Sequence, residues 1–516
     1  MTQREPLAGL DGRRFDVAVI GAGVNGASAA QHLAAAGYAV LLVDKGDFGS
    51  GSSSRSSRLL HCGLRYLAPG ASMWEFAASP KKLAIAVSMA REAMRCRHQF
   101  VATSPERAKA MRLHFPVYRD GPYARWQVDL AFRLLRGLGG GGTPLDYQML
   151  TPAEAAARPL VKWLRDPEKL TGVAGFREYQ FEWPERALMD SVLDAERLGA
   201  AVRNYTGLAG MSRDGEGWRL RLEDGLAPGQ AVEVSAAVVL NTAGIWIDAV
   251  NARAGGGGKR LINGTKGVHV MVQLPDECRD LGIATINRLG EPFYCIPWRG
   301  MHYFGPTETL YDGDIDDIRP TEEEIGWILD EANYLLPALA LERRHALFAW
   351  AGVRPLGNDP DFPKGKRSRE IHDLGAQGLP NVLAMTAGPV MTHRSAGPAL
   401  TRAVARRLEP SGPASAPDYA AKLPPENQNS PPLLQHYTQI KVSDAAHSAA
   451  TEHVASLADL MLRRLGAGWT RSMGAEAAET AARAAAPPLG WDEDRIAAEV
   501  AAYRDYLRRN HAIDAG

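Results

Sequence analysis

The stretch from Phe15 to Asp44 constrains this chain more than any other. An apolar run, Asp16-Val-Ala-Val-Ile20, leads into Gly21-Ala-Gly23-Val-Asn25-Gly26. A helical pattern follows, then a turn at Gly37, a second apolar run from Tyr38 to Val43, and an acid, Asp44. Strand, glycine turn, helix, strand and carboxylate come in the order that a dinucleotide site demands. Gly21 permits the tight turn, Gly23 lets a diphosphate approach the backbone, and Gly26 lets the helix pack on the strand. The helix N-terminus offers unpaired N–H groups and the positive end of the peptide dipole. Asp44 is placed to accept hydrogen bonds from an adenosine ribose. Its charge opposes a 2′-phosphate, which disfavours NADP. The motif by itself does not choose between NAD and FAD.

The next residues choose. A nicotinamide enzyme would usually run on into another βαβ unit. Here Asp47 leads into FGSGSSSRSSRLLHCGLRYL, small and polar at first and then apolar. At this point the chain resembles the FAD-dependent glycerol-3-phosphate dehydrogenases of the aerobic, quinone-linked type. In that family such a serine-rich loop, followed by a histidine, a glycine and a Leu-Arg-Tyr triplet, lies along the flavin. The resemblance therefore places Asn25, Ser53, Ser54, Ser57, His61, Gly63 and Leu64 at the cofactor, and Arg65 and Tyr66 at the substrate. Later segments match in the same order. Val239-Leu-Asn-Thr-Ala243-Gly244-Ile-Trp246 is similar to the second adenine-side strand and turn. Lys266-Gly-Val-His269-Val270 is similar to the central substrate strand, and Ile296-Pro-Trp298 with Gly305-Pro-Thr-Glu308 to its hairpin neighbour. Gly352-Val-Arg354-Pro-Leu356 is similar to the strand that meets the substrate anion. The resemblance implies non-covalent FAD.

Bulk properties agree. Lys and Arg together number 59, as do Asp and Glu, so the net charge is zero, which argues against a nucleic-acid partner. None of the cysteines, Cys62, Cys96, Cys278 and Cys295, forms a CxxC pair, so neither a zinc site nor a disulfide framework is indicated. Cys62 reads as a small space-filler beside the cofactor. The N-terminus lacks a signal-peptide core, and a reducing cytosol fits best. No stretch approaches the roughly 20 apolar residues of a membrane span. Between Tyr123 and Leu138, however, Trp126, Leu130, Leu134 and Leu138 recur at fourfold spacing among Arg125, Arg133 and Arg136. Such a helix can pack on the protein's own core or lie on a lipid surface. The second option would put the protein on the inner face of the cell membrane, where the family delivers electrons to quinone.

The expected fold class is α/β. It combines an FAD-binding Rossmann-like domain, of the glutathione-reductase or D-amino-acid-oxidase type, with a mainly antiparallel substrate sheet and a C-terminal helical domain. The flavin domain is expected to be discontinuous, from residues 14–100, 170–260 and 351–409. Residues 101–169 and 261–350 are assigned to the substrate domain. The Pro- and Gly-rich segment after Leu408 marks a boundary, so 410–516 forms the third unit. In that unit helices are expected over 448–465, 475–485 and 492–509, with a role in packing, dimerisation or partner contact. The acidic loop Asp312–Asp317 reads as solvated rather than as a calcium site.

Flavin chemistry on an alcohol needs an anion holder, a base and a group that steadies the reduced ring. Arg354, Arg369 and Arg65 are the candidate anion holders, since guanidinium forks match phosphate. For Arg354 an ion pair to Asp359 or Asp361 is the plainer alternative. His269 is the first choice for the base because imidazole titrates near neutrality; His61 and His393 are its rivals. A helix beginning after Gly388, with Thr392 beside it, is expected to face the ring with its positive end. The main departure from the family lies here. Gly-Gly-Lys and then Thr-Tyr-Arg are usual, whereas this chain reads Ala387-Gly388-Pro389-Val-Met-Thr392-His393-Arg394. The lysine has become Pro389, which carries no charge. The expectation is a changed substrate, such as a longer polyol phosphate or a hydroxy acid, or weakened activity on glycerol 3-phosphate. A flavin oxidase of the same fold and a non-catalytic flavin-binding protein are the other readings.

Overall fold

The computed structural model describes residues 4–67, 76, 79–139, 142–255 and 259–513. β1 (Arg14–Ile20) is apolar along most of its length because both of its faces are covered, as parallel strands require. It pairs in parallel with β2 (Val40–Val43) on one side and with the strand Ala231–Asn241 on the other. α1 (Val24–Ala35) connects β1 to β2. Val382–Thr386 and Ala201–Arg203 extend the parallel sheet at either end, and Glu370–Asp373 adds an antiparallel edge. The hairpin Thr206–Asp214 and Gly217–Asp224 attaches to Ala231–Asn241. α1 packs between the helices Pro184–Arg197 and His393–Ala405, and the apolar side chains of all three meet the sheet in one core.

The second sheet is larger. Its order runs Phe362–Lys366, Ala346–Asp359, Ile262–Val272, Met301–Gly305, Pro292–Trp298, Leu281–Ile286, Ala108–Tyr118, Leu170–Phe181 and Leu59–Leu60. Along this path only Leu281–Ile286 beside Ala108–Tyr118 is a parallel pair. Several stretches that sequence patterning assigned to the flavin domain therefore pair elsewhere, Leu59–Leu60 and Phe362–Lys366 among them. Leu170–Phe181 lies against Ala108–Tyr118, and Ala346–Asp359 lies against Ile262–Val272 over its whole length. Largely apolar runs of this kind suit either sheet, and long-range pairing decides between them.

The C-terminal unit is not a separate bundle. Leu457, Leu460, Trp469, Tyr503 and Leu507 share one hydrophobic core with Trp298, Trp350 and Met271 of the second sheet. The expected helix over 448–465 is broken. Val442–Thr451 is α-helical, and Asp459–Arg464 is a single π-helical turn. The break follows from local competition. Asp459 accepts the N–H groups of Ala455 and Ser456 at 3.0 Å each, and the Glu452 carboxylate is taken by Arg186 at 2.5 Å.

Candidate active site

A cavity of about 1150 Å³ runs between the C-terminal ends of the parallel strands and the second sheet. That is where open α/β sheets bind their ligands. The glycine turn forms its middle. Gly21 has φ +99°, and a Cβ there would lie 2.7 Å from Ala243 Cα. Gly26 lies against the chain, since a Cβ would sit 1.9 Å from the Gly21 carbonyl oxygen. Gly23 caps α1 and faces the cavity, where a Cβ would meet only Ser53 Oγ at 3.3 Å. The Val24 N–H donates to Ser53 Oγ at 3.0 Å. Asn25 Nδ2 donates to the Gly388 carbonyl at 2.8 Å, tying α1 to the turn after Thr386, while its buried Oδ1 has no partner. Asp44 accepts the N–H groups of Ala22 at 2.7 Å and Gly46 at 2.9 Å. Burial nevertheless raises its carboxyl to about 6. A bare glycine cradle, a helix N-terminus and a ribose-height carboxylate fit an adenine dinucleotide.

The serine-rich loop threads across the second sheet. Ser52 Oγ donates to the Val353 carbonyl at 2.6 Å, and Tyr303 OH donates to the Ser57 carbonyl at 2.6 Å. At its end Arg58 adopts φ +56° and is wholly buried. Its guanidinium grips Glu185 at 3.0 and 3.2 Å and lies 4.2 Å from the Trp298 ring and 4.1 Å from Trp469. Sequence reasoning missed this cage, whose members come from four distant segments.

At one end of the cavity lie Arg65, Arg354 and Arg367, with Tyr66, Tyr294, His61 and His269. Arg354 enters over Gly267, where a Cβ would lie 2.5 Å from its Nη2. Among the described residues its Nη1 is buried without a partner. It does not pair with Asp359 or Asp361; Lys366 approaches Asp359 instead, at 3.9 Å. Burial, with repulsion from Arg367 and Arg65, brings Arg354 down to about 10, still charged at neutral pH. Glu308 pairs with Arg367. Burial alone would raise the Glu308 carboxyl, but Arg367, Arg354 and Arg65 hold it below the usual range. Among the described residues the chamber therefore keeps an excess of positive charge.

His269 stacks on Trp350, with centroids 4.9 Å apart and planes 11° apart, and its Nε2 meets Ser57 Oγ at 2.9 Å. Among the described residues Nδ1 is buried without a partner. Burial, then Arg354 and Arg58, keep the ring well below the ordinary histidine range, so it is neutral. His61 is lowered to about 3, chiefly by burial and then by Arg65. His393 is buried outside the cavity wall, with Nδ1 at 2.8 Å from the Val390 carbonyl.

Of the other expected residues, Ala243, Gly244 and Gly388 line the cavity. Gly26, Ser54, Gly63, Leu64, Arg369 and Thr392 do not. Ser54 is turned back onto the Gly51 carbonyl at 3.3 Å, and Thr392 Oγ1 donates to the Pro389 carbonyl at 3.1 Å. Gly63 serves the loop rather than a ligand, with φ +90° and Ala90 packed against it. Leu64 packs on the neighbouring core. Arg369 is corrected most clearly. It is held by Glu92 at 2.8 Å and Ser395 at 2.9 Å, while Arg367, two residues earlier, faces the cavity. The basic run 364–369 was visible in the sequence, but which arginine turns inward depends on the hairpin after Asp359. Cys62 is fully buried and burial pushes its thiol up, as a space-filler requires. The aspartates of the acidic loop are exposed, and Asp316 among them pairs with Lys45 and accepts Trp246 Nε1 at 2.7 Å at the cavity rim.

A family model described as FAD dependent oxidoreductase matches residues 16–394. The chain belongs to this family. Among these FAD-dependent oxidoreductases it resembles glycerol-3-phosphate dehydrogenase. The enzyme of that name from Synechocystis sp. is 31% identical over 416 residues, covering 77% of this chain and 71% of the relative. The aerobic glycerol-3-phosphate dehydrogenase of Staphylococcus haemolyticus is 29% identical over 78% of this chain and 68% of its own. The fold matches the glycerol-3-phosphate dehydrogenase of Bacillus halodurans complexed with FAD, at a TM-score of 0.70 and 20% identity, covering 98% and 96% of the two chains. The protein is thus an oxidoreductase whose cofactor is FAD.

Proposed function

We propose that this oxidoreductase oxidises the secondary alcohol of glycerol 3-phosphate, or of a closely related polyol phosphate. The observation that carries the reading is the arginine chamber: Arg65, Arg354 and Arg367 converge with Glu308 among them, and among the described residues a buried Arg354 nitrogen has no partner. A phosphate dianion supplies both the charge and the acceptor oxygens that this chamber lacks. Arg367 also supplies a cation in the cavity that Pro389 lines, which keeps glycerol 3-phosphate within reach although the family's lysine is absent.

In this reading the glycine turn, Asn25, Asp44, Ser53 and Ser57 hold FAD, and Arg65, Tyr66, Arg354 and Arg367 hold the substrate. Bound FAD supplies the hydride acceptor. The chain's own residues do the rest. The arginines fix the phosphate and so place the carbinol beside His269. A neutral His269 accepts the hydroxyl proton. Before substrate binds, burial and then the neighbouring guanidiniums make it a weak base. A bound phosphate offsets those charges and raises its affinity for a proton, so base strength follows substrate occupancy. The turn at 388–391 presents the start of a helix to the same space, which favours negative charge there.

The electrons pass to a quinone at a membrane surface. Trp126, Leu130 and Leu134 support this, being 62%, 51% and 39% exposed among Arg125, Arg133 and Arg136, while a separate stripe, Val128, Phe132 and Leu135, packs inward. That pattern suits an interfacial helix on anionic lipid. Among the described residues no helix is long and apolar enough to cross a membrane.

The test is steady-state oxidation with a quinone analogue. Glycerol 3-phosphate should be preferred over glycerol by at least about a hundredfold in kcat/KM, and Arg354→Gln should abolish most of that preference. Equal use of glycerol, or an unaffected variant, would refute the reading.

A further inference from the structure

The cavity extends well beyond the arginine chamber. At its far end the wall is made by Ser456, Ala458, Asp459, Arg463 and Tyr506, together with Tyr205 and the residues that follow it. The first five belong to the C-terminal unit. They lie wholly outside residues 16–394, the part of the chain that the family model describes.

This far end is fastened to the nucleotide sheet by a buried ionic cluster. Asp47 follows Asp44 by three residues in the loop after β2 and is fully enclosed. Arg464 grips it at 2.9 and 2.7 Å, and Arg463 at 2.5 Å. Asn204 Nδ2 donates to it at 2.9 Å and also to the His453 carbonyl at 2.8 Å. Burial alone would raise Asp47, but Arg464 and Arg463 hold it far below the usual carboxylate range. Arg463 also holds Asp459 at 2.6 Å, and Asp459 accepts the Tyr205 hydroxyl at 2.7 Å. The loop that carries the ribose acid and the π-turn of the C-terminal unit are thus one ionic assembly.

Direction along the cavity identifies what lies there. An extended dinucleotide has its diphosphate at the start of α1 and its reactive ring beside His269. Its adenosine must then run the other way, past Asp44 and beyond β2. Beyond β2 come the strand Ala201–Arg203, the segment Tyr205–Ala209 and the C-terminal wall.

We propose that the C-terminal helical unit is part of the cofactor site. Ser456, Ala458, Asp459 and Tyr506 enclose the adenosine half of FAD, and the Asp47–Arg463–Arg464 cluster holds that wall against the ribose loop. The proposal rests on the dinucleotide reading of the cavity and assigns these residues a ligand that their sequence does not disclose. Arg463 and Arg464 act as positioning residues; Ser456, Ala458, Asp459 and Tyr506 contact the nucleotide.

The experiment uses the full-length holoenzyme. Ala458→Trp fills the wall and Tyr506→Ala opens it, and neither breaks the ionic cluster. Release of FAD after dilution is followed by the fluorescence of the freed flavin. Melting temperature is read with and without added FAD, and AMP is added as a competitor for rebinding. Both variants should release FAD at least about tenfold faster, since affinity differences appear mainly in dissociation rates. Their melting temperatures without FAD should match the parent's, and the increase caused by FAD should shrink. AMP should slow reloading less in the variants than in the parent. Parent-like release together with parent-like AMP competition would overturn the proposal and leave the dinucleotide site standing. Variants that melt lower without FAD, yet keep the parent's FAD-induced increase and AMP competition, would overturn it too by assigning the wall to packing alone. A parent protein that neither carries nor accepts FAD would overturn both.

Discussion

Arg367 and Arg369 lie two residues apart and have opposite fates. Arg369 is neutralised by Glu92, whereas Arg367 reaches the cavity with Glu308 as its companion. Replacing Arg367 by alanine should raise the KM for glycerol 3-phosphate roughly tenfold or more, the usual cost of losing a charge-assisted contact to a phosphate. Arg369→Ala should leave KM within about twofold. Steady-state kinetics of the two variants checks this, and the reverse ranking would contradict the site as described. Sequence patterning could not separate them. Both sit in the run Lys364–Arg369, and the inward one is chosen by a hairpin whose register shifts between Gly357 and Asp359. Arg354 was legible because a lone cation in an apolar strand needs a reason to be there. The reason is an unpaired nitrogen in a cavity, not the nearby aspartates.

The glycine turn and the serine loop show the same contrast at the scale of elements. The turn was readable because its glycine spacing is local in sequence, although Gly21 also answers a close approach by Ala243 and Gly23 one by Ser53. Gly26→Ala should disrupt folding, since its Cβ would lie 1.9 Å from a carbonyl oxygen of the same turn. Gly23→Ala should fold, because its φ is −68° and only a serine hydroxyl stands near, yet it should bind FAD weakly by crowding the diphosphate approach. Circular dichroism and flavin content separate the two outcomes. The Arg58 cage was not legible, because it joins residues 58, 185, 298 and 469 across three elements and a loop. Arg58→Ala should cost about 3–5 kcal/mol by leaving Glu185 charged and alone in the core. Denaturant unfolding reads this, and a loss below about 1 kcal/mol would show that the cage is not structural.

The whole molecule carries a consequence in its response to acid. His114 and His302 are lowered to about 4 and His393 and His511 to about 3, all chiefly by burial. Unfolded, each titrates near 6.5. Between those values the unfolded chain binds protons that the native chain refuses, so stability falls as pH drops below about 6.5. Each imidazole contributes up to about 1.4 kcal/mol per pH unit in that window. Asp44, raised to about 6, works in the opposite sense and offsets part of the effect. Urea midpoints should therefore fall from pH 7 to pH 5, and a flat profile would contradict the burial described. The family and the fold class followed from ordered motifs, whereas the pairing of Leu170–Phe181 and Ala346–Asp359 in the second sheet and the docking of the C-terminal unit onto the cavity did not. Its alanine-rich helices announce packing, but the ion pairs that aim it at Asp47 span more than 400 residues.

The most direct test is anaerobic. FAD-loaded protein is mixed with glycerol 3-phosphate, with glycerol and with glycine, while the flavin's visible band is followed. Bleaching by the phosphate ester alone, lost in Arg354→Gln and kept in Arg369→Ala, is the predicted result. A flavin that dithionite reduces but no polyol phosphate does would contradict the reading of the arginine chamber as a substrate site.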